Sequence, residues 1–254
     1  MKIGAQLFTL RDYGKDEAGV AKIFERIAEM GYKYAQYSGL CSVAPQRLAE
    51  ISKQTGVQIV LTHSPFSRIV NDTEKLMEEH AVFGAKHIGL GCMPEEYRKD
   101  ADGYFRFVET VLPAARKMAE NGFKFHYHNH HMEFEPFNGK TGMQLLMENM
   151  NKDELGFILD TYWVQFAGAD PIEWIYKLEG RIDCLHLKDM TVLESKGQVM
   201  SEIYEGNMNF DGIFKASADT KIPYAFVEQD ICQRDPFESL KISLDNIAAR
   251  QNID

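Results

Sequence analysis

Short apolar runs alternate with longer amphipathic segments along the whole chain. Runs at 3–8, 32–37, 57–62 and 86–90 read as strands, as do those opening at 123 and spanning 155–160, 182–187 and 224–228. Between them, apolar positions recur at helical spacing over 16–30, 45–54, 73–83, 104–121, 142–149, 171–178, 210–218 and 236–249. Gly31, Gly56, Gly84 and Gly122 follow four of these segments, where a left-handed cap ends a helix, and Pro171 sits in the first turn of another. Eight strand–helix units in 254 residues predict a single-domain (β/α)8 TIM barrel spanning 1–254, a fold of typically about 250 residues. An open doubly wound sheet usually carries a glycine-rich turn after its first strand. Here that turn reads FTLRD, which favours the barrel.

Composition narrows the function. The chain is 44% hydrophobic and 26% charged, without a low-complexity run, and at this length roughly 70 to 75% of the unfolded surface can be buried. A formal charge of −10 argues against nucleic acid as a partner, because that affinity rests on Lys and Arg paired with phosphates. Cys41, Cys92, Cys184 and Cys232 are far apart and form no CxxC pair, which suits a reducing compartment. No window approaches the apolar length of a membrane helix, and the opening MKIGAQLFTLRD lacks a signal-peptide core. The expectation is a cytoplasmic protein with neither membrane nor nucleic-acid partner; a homo-oligomer is compatible with the sequence.

The stretch FKFHYHNHHMEF, 123–134, carries the most chemistry, with four of the eight histidines beside Glu133 and Glu135. Its start alternates like a strand, which puts His126, His128 and His130 on one face. His126 lies deep along that strand and His131 faces outward; His80 and His87 read as structural or surface residues. In a barrel the active site lies at the C-terminal strand ends. Those ends offer Gln6, Phe8 and Arg11 on the first strand, His63 on the third and Cys92 on the fourth. The fifth to eighth offer His128 with His130, Asp160, His186 with Lys188, and Glu228 with Asp230. Taken alone, Asp160 or Glu228 reads as a helix cap and His186 as a satisfied core histidine. A candidate ligand from each of four adjacent strands is a much stronger signal, and imidazole with carboxylate suits Mn, Co, Zn, Fe or Mg. Lys188 shares the inward parity of His186, so it either binds a substrate oxygen or reaches solvent at the rim.

At these positions the chain resembles the xylose isomerase-like barrels, a family that takes in sugar phosphate isomerases/epimerases and is related to the apurinic endonucleases. The resemblance is carried by IGAQLFTLRD, THSPF, HYHNHHMEF, LDTYWVQFAGADP, HLKD, EGN and FVEQD, which follow the family's order over almost the whole chain. It implies that His128, Asp160, His186 and Glu228 hold the metal. The family's ketose epimerases place a glutamate where this chain has His128 and pair it with the last glutamate, so only Glu228 of that pair is present. The endonucleases carry a histidine where Trp163 stands and another on the fourth strand, which here ends GLGCMP. Their polynuclear site is not assembled, and one divalent ion per chain is expected.

The implied activity is a metal-dependent isomerase or epimerase acting on a keto-sugar or inosose-like polyol through an enediolate. Glu228 is the expected base, with His130 or Glu133 as proton partner and Lys188 assisting. Gln6, Arg11, His63 and Trp163 are the expected substrate-binding residues, although Trp163 equally suits the core. The alternative is a dehydratase or lyase on an inosose or 3-keto-sugar. An apurinic endonuclease and a non-catalytic sugar-binding barrel rank below both.

Overall fold

The computed structural model describes residues 1–251. Eight parallel strands, Lys2–Gln6, Tyr34–Tyr37, Gln58–His63, His87–Leu90, Lys124–His128, Gly156–Asp160, Ile182–Leu187 and Tyr224–Val227, close into a barrel. The first pairs with both the second and the eighth, so no edge strand is left open. The expected (β/α)8 architecture is present. Helices closed by Gly56 and Gly84 end as the sequence suggested, both glycines lying at positive φ of 74° and 80°. A Cβ at either would meet nothing within 4 Å, so backbone conformation, not space, calls for glycine there.

Parity sorts the side chains into two cores. Outward positions such as Ile3, Ala35, Ile88, Phe125, Leu159 and Leu185 join the apolar layer under the helices. Inward positions form a smaller plug of Leu61, Ile158, Cys184 and Phe226, with Val60. Two register shifts adjust this pattern, one beside Val60 on the third strand and one beside Asp183 on the seventh. A bulge places one extra residue against its partner strand and re-aims a side chain.

Four features depart from the sequence reading. The first strand stops at Gln6, whose side chain accepts from Phe8 N at 3.1 Å and starts a 3-10 turn over Leu7–Leu10. Short helices at Phe66–Asn71 and Thr161–Phe166 lie where the apolar pattern predicts no element, since six residues are too few to show helical periodicity. The long helix begins at Ala101, capped by Asp100. The loop after the seventh strand contains an antiparallel hairpin, Asp189–Leu193 with Gly197–Ser201.

That loop is tied down by one buried carboxylate. Asp189 accepts backbone N–H groups from Met190, Tyr204, Gly206 and Met208 at 2.7 to 3.3 Å. A Cβ on Gly206 would lie 2.3 Å from Asp189 Oδ1, which accounts for the glycine of the EGN stretch.

His80 has a distinct structural role. Its Nδ1–H donates to Leu76 O at 2.7 Å and its Nε2 accepts from Thr62 Oγ1 at 2.8 Å. Burial, first of all, pushes this imidazole down to about 4. The unfolded chain therefore binds a proton that the folded one refuses between about pH 6.5 and 4. His80 contributes its full stability above that window and loses up to about 3 kcal/mol as pH falls through it. In denaturant titrations at pH 7 and pH 4.5, His80→Gln should show a smaller acid loss than the unaltered protein. An identical loss in both would remove His80 from the account.

Candidate metal centre and its cavity

At the C-terminal mouth, four buried side chains from adjacent strands converge. His128 ends the fifth strand, Asp160 the sixth, and His186 lies on the seventh; Glu228 follows the eighth. One ligand atom from each lies within 4.8 Å of all the others. His128 Nε2 is 3.2 Å from Asp160 Oδ2, His186 Nδ1 is 2.9 Å from Glu228 Oε2, and His186 Nδ1 is 3.7 Å from Asp160 Oδ2.

The hydrogen bonds behind the ligands fix which nitrogen faces inward. His186 Nε2–H donates to Gln36 Oε1 at 2.7 Å, and His128 Nδ1–H donates to the Gly91 carbonyl at 3.0 Å. In that tautomer each ring, when neutral, turns a lone pair toward a carboxylate oxygen. Burial would lower the His186 pKa, but Glu228 and Asp160 outweigh it and raise it, so without a metal a proton is drawn to that ring. Despite the 2.9 Å separation, neither His186 Nδ1 nor Glu228 Oε2 makes a hydrogen bond of acceptable geometry. Buried acceptors facing one another repel unless a proton or cation lies among them. The Lys188 ammonium lies beside both carboxylates and reaches neither imidazole lone pair, whereas a divalent ion would satisfy all four groups. The backing groups are of the kind that orient metal-bound histidines. The donor set of two imidazole nitrogens and two carboxylates fits a borderline or hard divalent cation. Asp160 is held from both sides: Oδ1 accepts from Trp163 N at 3.0 Å and its own N–H donates to Asn129 Oδ1 at 2.9 Å.

Lys188 is fully buried, with Nζ 2.9 Å from Asp160, 3.0 Å from Glu228 and 3.0 Å from Asp230. Burial alone would lower its pKa, but the three carboxylates outweigh that and raise it. Burial likewise favours the neutral acids of Asp160 and Glu228, and the Lys188 ammonium with the imidazoles reverses this, so both stay well below the usual carboxylate range. Asp230 goes the other way, raised by burial and by the charge of Glu228. Three carboxylates around one ammonium leave a formal charge of −2, which one divalent ion would balance.

A cavity of about 330 Å³ opens above the cluster, between Phe8, His63, Cys92, His130, Glu228 and Asp230. His63 Nδ1 meets Ser38 Oγ at 3.1 Å, while its Nε2 and His130 Nδ1 are buried without partners. Burial, reinforced by His128 and His186, holds His63 well below its ordinary value; burial and His128 push His130 down to about 3. Both rings are therefore neutral, and each presents an unused polar atom.

Not every residue expected from the sequence joins this group. Glu133 is buried with both oxygens committed, one to Tyr127 Oη–H at 2.6 Å and the other to His130 N–H at 2.7 Å. It braces the turn after the fifth strand and is not placed to exchange protons with a substrate. Arg11 is spent on the backbone, donating to Phe8 O at 2.9 Å and Asp230 O at 2.7 Å. It clasps the ends of the first and eighth strands instead of offering its guanidinium to the cavity. Gln6 caps the turn after the first strand, with Nε2 buried and unpartnered. Trp163 is half-buried, its ring 5.5 Å from that of His130 and 5.7 Å from Lys188 Nζ.

The sequence reading missed Gln36, Ser38 and Gly91. Gln36 left a readable trace, an inward polar residue in the otherwise strand-like YAQY. Gly91 left none, although a Cβ there would lie 2.8 Å from His63 Nδ1. Removing a group that orients a metal-bound histidine typically costs 10- to 100-fold in affinity. Gln36→Leu should therefore weaken metal binding by about that factor, read by competition with a chromogenic chelator. Unchanged affinity would show that His186 needs no such partner.

A closed eight-stranded parallel barrel with His, Asp and Glu side chains converging at its C-terminal mouth places the protein among the (β/α)8 barrels. Residues 24–229 match the sequence profile of one of them, and the chain belongs to the xylose isomerase-like TIM barrel family. Several solved structures share the fold. A sugar phosphate isomerase/epimerase from Parabacteroides distasonis superposes with a TM-score of 0.83 at 22% identity, covering 98% of this chain and 94% of that one. The probable 3-DHS dehydratase AsbF from Bacillus anthracis gives 0.75 at 17% identity, covering 99% and 100%. The IOLI protein, solved with a bound zinc atom, gives 0.69 at 13% identity, covering 98% and 97%. At these identities the likeness is one of fold. No curated protein matches the sequence.

Proposed function

We propose that the protein is a metal-dependent isomerase or epimerase of a keto-sugar or related polyol, acting through an enediolate. The observation that carries this reading is the facing of two imidazole lone pairs and two carboxylates beneath a cavity whose walls present unpartnered polar atoms. His128, Asp160, His186 and Glu228 would hold the ion. When bound, a divalent cation supplies Lewis acidity that polarises a carbonyl and stabilises negative charge on neighbouring oxygens.

The chain's own residues account for the rest. Glu228 lines both the ligand cluster and the cavity and is ionised, the form a base needs to take an α-proton. Lys188, hydrogen-bonded to Asp230 and within 3.0 Å of Glu228, keeps the added charge compensated. His130, neutral and unpartnered at Nδ1, is the proton partner across the cavity. His63 Nε2 is free to bind a hydroxyl, and the ring of Trp163 lies beside His130 as a stacking surface.

Dehydration is the second reading. It is favoured by asymmetry: both carboxylates of the cavity wall, Glu228 and Asp230, come from the eighth-strand side, while the fifth-strand side contributes the imidazoles of His128 and His130. The two readings share the α-proton step and differ in whether a hydroxyl then leaves. Incubating keto-sugars and inososes with the enzyme and Mn²⁺ in D₂O, followed by proton NMR, separates them. Exchange or inversion at an α-carbon supports isomerisation or epimerisation, whereas loss of a hydroxyl with a new alkene signal moves the protein to the dehydratases. No α-exchange in any keto-sugar or inosose would contradict both.

A further inference from the structure

A second group of ligating side chains lies at the opposite, N-terminal mouth of the barrel. We propose that His87, His126 and Asp183 form a separate binding site for a divalent transition metal of the zinc type, stapling the fourth, fifth and seventh strands. One ligand atom from each lies within 4.8 Å of the others. Along the strands this group is separated from the upper cluster by the apolar plug of Ile158, Cys184 and Phe226.

Two local features build the group. On the seventh strand, Ile182 pairs with Phe157 and Cys184 with Ile158, so Asp183 is the extra residue of the bulge. The bulge lets its carboxylate turn inward beside Cys184. On the sixth strand, Gly156 sits in register with His126. A Cβ at Gly156 would lie 2.5 Å from His126 Cδ2 and 2.6 Å from Nε2. Only glycine there lets the imidazole cross the sixth strand to reach Asp183, with Nε2 2.9 Å from Oδ2.

The polar atoms repeat the pattern of the upper cluster. His126 Nδ1–H donates to Lys124 O at 3.0 Å, which aims Nε2 at a carboxylate oxygen of Asp183. His87 Nδ1 is buried without a partner, and its ring stands edge-on to His126 with centroids 4.9 Å apart. His87 also borders a cavity of about 220 Å³, with Gln58, Lys86 and Tyr224. That cavity gives an ion a route to the His87 ring, and a water would complete the set. Two imidazoles, one carboxylate and a water make a common four-coordinate zinc set. Lys124, whose Nζ lies 2.7 Å from Asp183 Oδ2, competes for the same oxygen. Its side chain is partly exposed and can swing to solvent when an ion takes its place.

The rival account is a plain ion-paired triad of Lys124, Asp183 and His126, and metal titration separates the two. Full-length protein stripped with chelator is titrated with Zn²⁺, and with Co²⁺ for its visible spectrum; bound metal is measured after gel filtration. At saturation the unaltered chain should hold two ions, one more than the sequence led one to expect. His87→Ala and Asp183→Asn should each weaken the lower ion at least tenfold and leave the upper one. His87 makes no hydrogen bond through Nδ1 and is partly exposed, so its variant should fold; circular dichroism checks both. Asp160→Asn should lose the upper ion and keep the lower, so failure of one site is not mistaken for failure of the other. Lys124→Gln should tighten the lower site. A single ion that disappears with Asp160→Asn, or a second ion indifferent to both His87→Ala and Asp183→Asn, would overturn the proposal.

Discussion

Metal-loaded Glu228→Gln should turn over its substrate about 10² to 10⁴ times more slowly than the unaltered enzyme, the usual cost of removing a positioned acid–base group. The substitution keeps shape and one ligating oxygen but removes the negative charge that accepts a proton. It also leaves Lys188 with two carboxylate partners instead of three. Because Glu228 is at once a proposed ligand and the proposed base, metal content must be matched between the proteins before rates are compared. A metal-loaded variant with near-normal turnover would move the base elsewhere. His130 is then the first candidate, since its Nδ1 is unpartnered at the cavity wall. Glu133 is not, because both of its oxygens are bound on the far side of the turn.

Chelation should abolish nearly all activity, and adding back a divalent ion should restore it. Mild acid should strip the ion in the same way. His128 and His186 offer lone pairs only when neutral, so protons compete with the metal for Nε2 of one ring and Nδ1 of the other. Affinity should therefore fall as pH is lowered through the histidine range. The hydrogen bonds to Gly91 O and Gln36 Oε1 resist ring rotation, so a stripped site should reload without refolding. Full turnover in a chelated sample, with residual metal far below enzyme concentration, would end the Lewis-acid account.

The barrel was legible because its signals are periodic and repeated. Eight alternations of strand and helix, several ended by glycine, leave few other topologies. Elements too short to show a period were not legible, as with Phe66–Asn71 and Thr161–Phe166. The hairpin after the seventh strand was hidden because a buried residue outside its turn, Asp189, organises the loop through four backbone N–H groups.

The candidate site was legible where strand parity and strand end suffice. His128, Asp160, His186 and Glu228 stand at or next to the C-terminal ends of adjacent strands, and alternation points them inward. Parity fails where contacts decide. It could not show that Arg11 spends its donors on Phe8 O and Asp230 O, or that Glu133 turns back to Tyr127. Nor could it show Asp183, which faces inward only because the seventh strand is bulged. Gln36 was within reach, but a single polar residue in a strand carries no mark of the histidine it will meet 150 positions later.

The central claim is that four strand-end side chains hold one ion at the floor of the cavity. The most direct test is an anomalous-difference map from crystals of protein reconstituted with Mn²⁺, Co²⁺ or Zn²⁺, collected at the corresponding absorption edge. The account predicts a strong peak about 2.0 to 2.2 Å from His128 Nε2, Asp160 Oδ2, His186 Nδ1 and Glu228 Oε2. Metal density confined to other positions, with Lys188 still bridging Asp160 and Glu228, would contradict it.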